Sequence, residues 1–256
     1  MFRLAAALVL ALAFPSSSSA QLTLSRVTTE PSLGRLDYVL AVADFNGDRR
    51  DDVLVGGRAD YFTGDTPAAR LTKAPLYLFV SLGDGRFRPA PELVDSPIEA
   101  RNPIAVAGDF NGDRRPDVAV FDAGVYINGG YGNPPQLWIS GEDGRLHRSE
   151  ALADAVRRQN EAHPEPRASG PADLHLKSAS AGDIDGDGDL DIWVESTGGA
   201  NFTSHFMVNN GDDTFTVDQN RVPYELLHNP QPEYWRHQTS AFVDIDNDGD
   251  LDLALG

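Results

Sequence analysis

The chain has 256 residues, 39 acidic against 21 basic side chains, a formal net charge of −18 and no cysteine. That acidity argues against nucleic acid or anionic lipid as a partner, because both need a basic surface. The missing cysteines exclude disulfides and thiol chemistry, so an exported form needs another kind of staple.

Residues 1–20 have the three-part pattern of a secretory signal: Arg3, the apolar run Leu4 to Phe14, and the small-residue stretch Pro15 to Ala20 ahead of Gln21. The run is too short to span a bilayer, which takes about 20 apolar residues. No other segment is apolar enough, so no membrane span is expected. The mature chain is expected to be secreted, periplasmic or at the cell surface.

An internal repeat fills the region from residue 38 onward. Its landmark is an acidic nonapeptide present four times: Asp44-Phe-Asn46-Gly-Asp48-Arg-Arg-Asp51-Asp52, Asp109-Phe-Asn111-Gly-Asp113-Arg-Arg-Pro-Asp117, Asp183-Ile-Asp185-Gly-Asp187-Gly-Asp-Leu-Asp191 and Asp244-Ile-Asp246-Asn-Asp248-Gly-Asp-Leu-Asp252. Of the 39 acidic residues, 17 lie in these four stretches. An apolar run precedes each copy (Tyr38 to Ala43, Pro103 to Ala107, Leu176 to Ala181, Thr239 to Val243) and another follows (Val53 to Val55, Val118 to Val120, Ile192 to Val194, Leu253 to Leu255). In the first three units a third run comes next (Leu76 to Val80, Gln136 to Ile139, His205 to Val208). A Gly/Asp turn then closes it onto a fourth, at Gly83-Asp84-Gly85, Gly141 to Gly144 and Gly211 to Asp213. Such turns between apolar runs mark tight hairpins.

Four antiparallel strands per unit, repeated, predict an all-β fold, a β-propeller of four-stranded blades. The blades are expected over 38–95, 103–150 and 175–218, with an incomplete one over 238–256. The small residues Ala41, Ala43, Ala105, Ala107, Ala179, Ala181 and Ala241 suit first strands crowded near a common axis. Residues 57–75, 122–135 and 196–204 are expected to be loops between second and third strands. Ser149 to Ala162 is expected to be a short helix capped by Ser149 and ended by Pro164 and Pro166. Residues 218–238, with Pro223, Pro230 and Pro232, are expected to form an irregular loop. Three and a half units do not close a ring, so the chain is expected to be part of a longer one. The weaker alternative is that Leu22 to Val27 supplies a strand to the fourth unit.

The nonapeptide places oxygen side chains at positions 1, 3, 5 and 9, a spacing that curls a loop around a hard cation, with a backbone carbonyl near position 7. Oxygen donors with no His or Cys favour calcium over zinc, copper or iron. The candidate ligands are Asp44, Asn46, Asp48 and Asp52; Asp109, Asn111, Asp113 and Asp117; Asp183, Asp185, Asp187 and Asp191; Asp244, Asp246, Asp248 and Asp252. An EF-hand is excluded because it needs a Glu at position 12 and flanking helices. Position 12 here is Val55, Val120, Val194 or Leu255. The alternative for a single copy is a solvated Asp/Asn/Gly turn; four copies at equivalent places argue against it. Position 6 is Gly188 or Gly249 in the last two loops, and its φ is expected to be positive. Arg49 and Arg114 stand there in the first two, which are expected to bind more weakly.

The run Ala-Gly-Asp-Phe-Asn-Gly-Asp at 107–113 with Asp117-Val118, together with the Gly-Asp-Gly-x-Phe hairpin at 83–87, resembles the FG-GAP/VCBS repeat. That repeat builds the propellers of integrin α-subunits and of many bacterial secreted proteins. The resemblance covers roughly 38–256. It implies a calcium-stabilised propeller in an extracellular or cell-surface protein, and calcium ligation by Asp44, Asn46, Asp48, Asp52 and their counterparts in the other loops. No Gly-x-Ser-x-Gly elbow is present and the six histidines are scattered, so no catalytic residue is assigned. The expected role is adhesion, or binding of an extracellular protein or carbohydrate. The alternative is part of a secreted polysaccharide-acting enzyme, a lyase or hydrolase. Tyr224, His228, Tyr234, Trp235 and His237 are read as packing in a long loop, with a carbohydrate-stacking surface as the functional alternative. Asn201-Phe-Thr203 is a glycosylation acceptor if the chain passes through a eukaryotic secretory pathway.

Overall fold

The structure, a computed structural model, describes residues 7–9, 25–27, 36, 38–56, 73–100, 103–122, 134–162, 176–196, 204–222 and 239–256. Most of the signal-like segment, Pro164 and Pro166, the Asn201–Thr203 acceptor and the aromatic cluster of 224–237 lie outside the described residues. Two short strands, β1 (Ala7–Val9) and β2 (Ser25–Val27), pair antiparallel near the N-terminus. With the signal-like segment present, residues 25–27 pair with it and not with the fourth unit; a partner close in sequence closes a shorter loop.

The first unit is a meander of β3 (Tyr38–Ala43), β4 (Asp52–Gly56), β5 (Ala74–Ser81) and β6 (Phe87–Pro89), hydrogen-bonded in that order. Residues 74 and 75, expected in a loop, belong to β5 and pair with a further short strand, β7 (Glu99–Ala100). The second unit repeats the meander with β8 (Pro103–Gly108), β9 (Asp117–Asp122), β10 (Gln136–Ser140) and β11 (Leu146–Ser149). Helix α1 (Ala151–Ala162) follows, and the Ser149 hydroxyl accepts the Ala151 N–H at 3.3 Å as the sequence suggests. The third unit is β12 (Leu176–Gly182), β13 (Asp191–Ser196), β14 (His205–Asn209) and β15 (Phe215–Asp218), and the fourth the pair β16 (Ser240–Val243) and β17 (Asp252–Leu255). The three Gly/Asp turns are hairpins, closed by Leu82 N–H to Arg86 O, Gly141 N–H to Arg145 O and Asn210 N–H to Thr214 O. Among the described residues no helix is long and apolar enough to cross a membrane.

The first strands of successive units run side by side, β3 against β8, β8 against β12 and β12 against β16. Small side chains permit this approach; Ala41 is buried, and Ala105, Ala107, Ala179 and Ala181 are partly buried at these seams. Ala241 is exposed, because no further first strand lies beyond β16 among the described residues. Every residue of β4 and β9 is buried, which a strand achieves only with protein on both faces. Three of the four hydrophobic clusters among the described residues lie between units, and the fourth, Leu36, Val53, Val55 and Phe79, belongs to the first unit alone. Leu54, Leu78, Val118 and Trp138 join the first to the second, and Phe121, Leu137, Ile192 and Met207 the second to the third. Trp193 and Phe206 pack with Phe242 and Leu253 between the third and fourth. The apolar residue at position 2 of each acidic loop belongs to the seam with the following unit. Phe45 and Phe110 are 2% and 3% exposed, Ile184 packs against the third-to-fourth core, and Ile245, with no described unit after it, is 66% exposed.

Candidate metal centres

Each acidic nonapeptide is the turn between the first and second strand of its unit, and all four fold alike. The position-1 carboxylate sits inside the curl and accepts backbone N–H groups. Asp44 Oδ1 takes Gly47 and Asp48 at 2.8 and 3.0 Å, and its Oδ2 takes Arg49 at 2.7 Å. Asp109, Asp183 and Asp244 accept the equivalent bonds from Arg114, Gly188 and Gly249 at 2.7, 3.0 and 3.0 Å. The position-5 carboxylates of Asp48, Asp113, Asp187 and Asp248 each accept the N–H two residues on, at 2.8–3.0 Å. Asn46 and Asn111, at position 3, accept the N–H of Asp48 and Asp113. Such local bonds let a short Asp/Asn-rich segment hold one conformation without regular secondary structure.

The result is convergence of oxygen atoms. One ligand atom each from Asp183, Asp185 and Asp187 lies within 4.8 Å of the others, and the same holds for Asp244, Asp246 and Asp252. Carboxylates that close repel unless a cation lies between them, and an oxygen-only donor set suits calcium. The residues present therefore fit a hard divalent ion in loops three and four. Loops one and two have the same backbone curl but one carboxylate fewer. Their position-5 groups also face arginine, Arg50 to Asp48 at 3.9 Å and Arg115 to Asp113 at 3.6 Å, which offsets part of the negative charge offered to an ion. In loop three Arg221 holds an oxygen of Asp185 at 3.3 Å, a partner the spacing gave no hint of.

Position 6 is left-handed in every loop, with φ of 67° at Arg49, 66° at Arg114 and 98° at both Gly188 and Gly249. Left-handed backbone costs a residue with a Cβ about 1 kcal/mol or more. Arg49→Gly and Arg114→Gly are expected to stabilise the protein by about 1 kcal/mol each and to tighten calcium binding in their own loops, as read by chemical denaturation and calorimetry. Gly188→Arg should do the reverse.

The position-9 residues behave differently from the other candidates. Asp52, Asp117 and Asp191 are fully buried, whereas Asp252 is exposed. Asp117 Oδ1 accepts the Ser140 N–H and Oδ2 the Phe110 N–H, both at 2.9 Å. Asp191 takes Asn209 and Ile184 at 2.7 and 3.0 Å, Asp52 takes Ser81 at 3.0 Å, and Asp252 takes Ile245 at 2.9 Å. In the second and third units, then, one oxygen holds the end of the third strand and the other the loop's own position 2. Only in loop four does the position-9 side chain join the close oxygen cluster.

Burial pushes these carboxyls above their ordinary value of 3.8, Asp52 to about 6, Asp117 to about 7 and Asp191 to about 6, with the backbone N–H bonds opposing the shift. Glu195 on β13 is likewise raised by burial, to about 7. A raised value means that the folded chain binds more protons than the unfolded chain between pH about 4 and 7, so stability falls as pH rises through that window. The lowered carboxyls of Asp84, Glu92 and Asp143 act the other way, but all three are exposed and screened. In chelator, the melting temperature is therefore expected to be lower at pH 7.5 than at pH 5. Calcium should flatten that slope, because a nearby cation favours the ionised carboxylate.

Fold and loops together define an all-β, propeller-like array whose units carry an acidic oxygen-rich turn between their first two strands. A family model described as "FG-GAP-like repeat" matches residues 44–120, so that stretch of the chain carries an FG-GAP-like repeat. Among solved structures, a lectin from Agrocybe aegerita, described for its specific recognition of non-reducing terminal N-acetylglucosamine, is similar in fold. The two share 16% sequence identity at a TM-score of 0.52, over 92% of this chain and 52% of the lectin chain. The chain thus spans about half the length of that structure, and at this identity the likeness concerns the fold alone. No curated protein matches the chain in sequence.

Proposed function

We propose that this chain is an exported, calcium-binding repeat protein, and that its array of units presents a surface for an extracellular ligand, most simply a carbohydrate. The observation that carries the calcium reading is the convergence of three carboxylate oxygens within 4.8 Å in loops three and four, built on a backbone curl that all four loops share. In a chain without cysteine, bound ions would supply the cross-links that disulfides supply in other exported proteins. Extracellular calcium modules bind with Kd of about 10⁻⁴ to 10⁻³ M, which fits a structural ion held at millimolar calcium. The carbohydrate reading is supported by the lectin with a similar fold, and adhesion at the cell exterior is the role it would serve. No catalytic residue is assigned.

The test is isothermal titration of chelator-stripped protein with calcium, followed by a glycan-binding screen of the loaded form. Uptake is expected, tighter at loops three and four than at one and two. Absence of uptake at millimolar calcium would remove the calcium assignment, and a loaded protein that binds no glycan would remove the carbohydrate one.

A further inference from the structure

Hydrogen bonds join the acidic loops of the first three units through the residues that end the third strands of the second and third units. In the third unit that residue is Asn209, 3% exposed. Its side-chain Nδ2 donates to the Phe110 carbonyl of loop two at 2.8 Å and to the Leu190 carbonyl of loop three at 3.3 Å. Its backbone N–H donates to Asp191 Oδ1 of loop three at 2.7 Å, and its Oδ1 accepts the Gly211 N–H at 3.2 Å. Ser140 takes the same place in the second unit. Its N–H donates to Asp117 Oδ1 of loop two, while its hydroxyl is shared between the carbonyls of Pro116 in loop two and Phe45 in loop one, the latter at 3.4 Å.

These links form one string. It passes from Phe45 O to Ser140, to Asp117, through the Phe110 N–H bonded to Asp117 Oδ2, then from Phe110 O to Asn209, to Asp191, and to the Ile184 N–H bonded to Asp191 Oδ2. Every member is a position-2 backbone group, a position-9 carboxylate or the strand-end residue between them. The position-2 side chains of loops one and two are buried against the following unit, so neither loop moves independently of that unit. Packed, hydrogen-bonded elements of this kind can carry free energy between sites.

We propose that Ser140 and Asn209 are coupling residues, and that calcium binding in one acidic loop strengthens binding in the next through them. The inference rests on the calcium reading above. Asn209 is the stronger link, since its bond to Phe110 O, at 2.8 Å, is shorter than the 3.4 Å contact of Ser140 to Phe45 O. An ion in loop three fixes the curl that ends at Leu190 and Asp191, which fixes Asn209, which holds Phe110 and the entry to loop two. By linkage the effect is reciprocal.

The experiment is a double-mutant cycle read by calcium titration of the full chain. Loops one and four are silenced by Asp48→Asn and Asp248→Asn, so that isotherms report loops two and three. Further silencing of loop three, by Asp183→Asn with Asp187→Asn, is expected to weaken loop two about fivefold or more. The same change made together with Asn209→Ala should alter loop two by less than about twofold. Asn209→Leu, similar in volume and without a donor, is the second variant should alanine prevent folding as judged by circular dichroism in excess calcium. If silencing loop three leaves loop two unchanged with Asn209 present, or weakens it equally with Asn209 replaced, the coupling is wrong and the calcium assignment stands. Absence of uptake by the native chain overturns both.

Discussion

Calcium at 10 mM, added to chelator-stripped protein, is expected to raise the melting temperature by about 10 °C or more. With Kd of about 10⁻⁴ to 10⁻³ M, that concentration is about 10 to 100 times Kd, and each occupied loop then adds about 1.4 to 2.7 kcal/mol to the folded state. Four loops together give about 6 kcal/mol at the low end, and about 2 to 4 °C per kcal/mol applies to a chain of this size. Differential scanning calorimetry with and without chelator measures the shift, and magnesium serves as the control. Magnesium demands stricter octahedral geometry and gives up water reluctantly, so it should produce a smaller rise. A melting temperature indifferent to calcium would mean that the four loops hold their shape through hydrogen bonds alone.

The second large effect is expected at Asp117. Its carboxylate is fully buried and accepts N–H groups from Phe110 and Ser140 at 2.9 Å. Asp117→Ala leaves both donors buried without a partner, at about 1 to 3 kcal/mol for each unsatisfied group, so a loss of about 2 to 6 kcal/mol is expected by chemical denaturation in chelator. Asp117→Asn keeps one acceptor and should lose less. Asp113→Ala, four residues earlier, removes a carboxylate that bonds only within its own loop and to Arg115. It is expected to abolish calcium uptake by loop two while costing much less stability in chelator. Equal losses for Asp113→Ala and Asp117→Ala in chelator would contradict the division between ion-facing and strand-holding carboxylates.

That division marks where sequence reading stopped. The units, their first strands, the hairpins and the Ser149-capped helix are legible because each has a local signature: a run of apolar residues, a Gly/Asp turn, a capping hydroxyl. The left-handed position 6 is legible too, since glycine in two loops points to the conformation that Arg49 and Arg114 adopt in the others. Position 9 is not. An aspartate in an acidic motif reads as one more ion ligand, and only three-dimensional packing shows Asp52, Asp117 and Asp191 enclosed and bonded to strand ends about 18 to 29 residues away in sequence. Phe45 and Phe110 did carry a signal, being large apolar residues inside otherwise polar loops, but nothing local says that they enter the neighbouring unit. Ser140 and Asn209 carry none, because a lone Ser or Asn before a turn is ordinary. The extension of β5 through Ala74 and Pro75 is equally silent, as its partner β7 lies beyond the fourth strand.

The joint at Asn209 has a direction. A side chain of the later module closes the bend of the earlier one, as Ser140 does for the first unit and Asn209 for the second. Gain or loss of a whole module, some 60 to 75 residues between successive first aspartates in this chain, leaves every such joint with both halves. Transplanting an acidic bend alone, without the strand end that follows in the next module, separates them. Lineages that lengthen or shorten such arrays are thus expected to do so by duplication and deletion at module boundaries, and grafts designed to add an ion to another scaffold should carry the downstream asparagine or serine along.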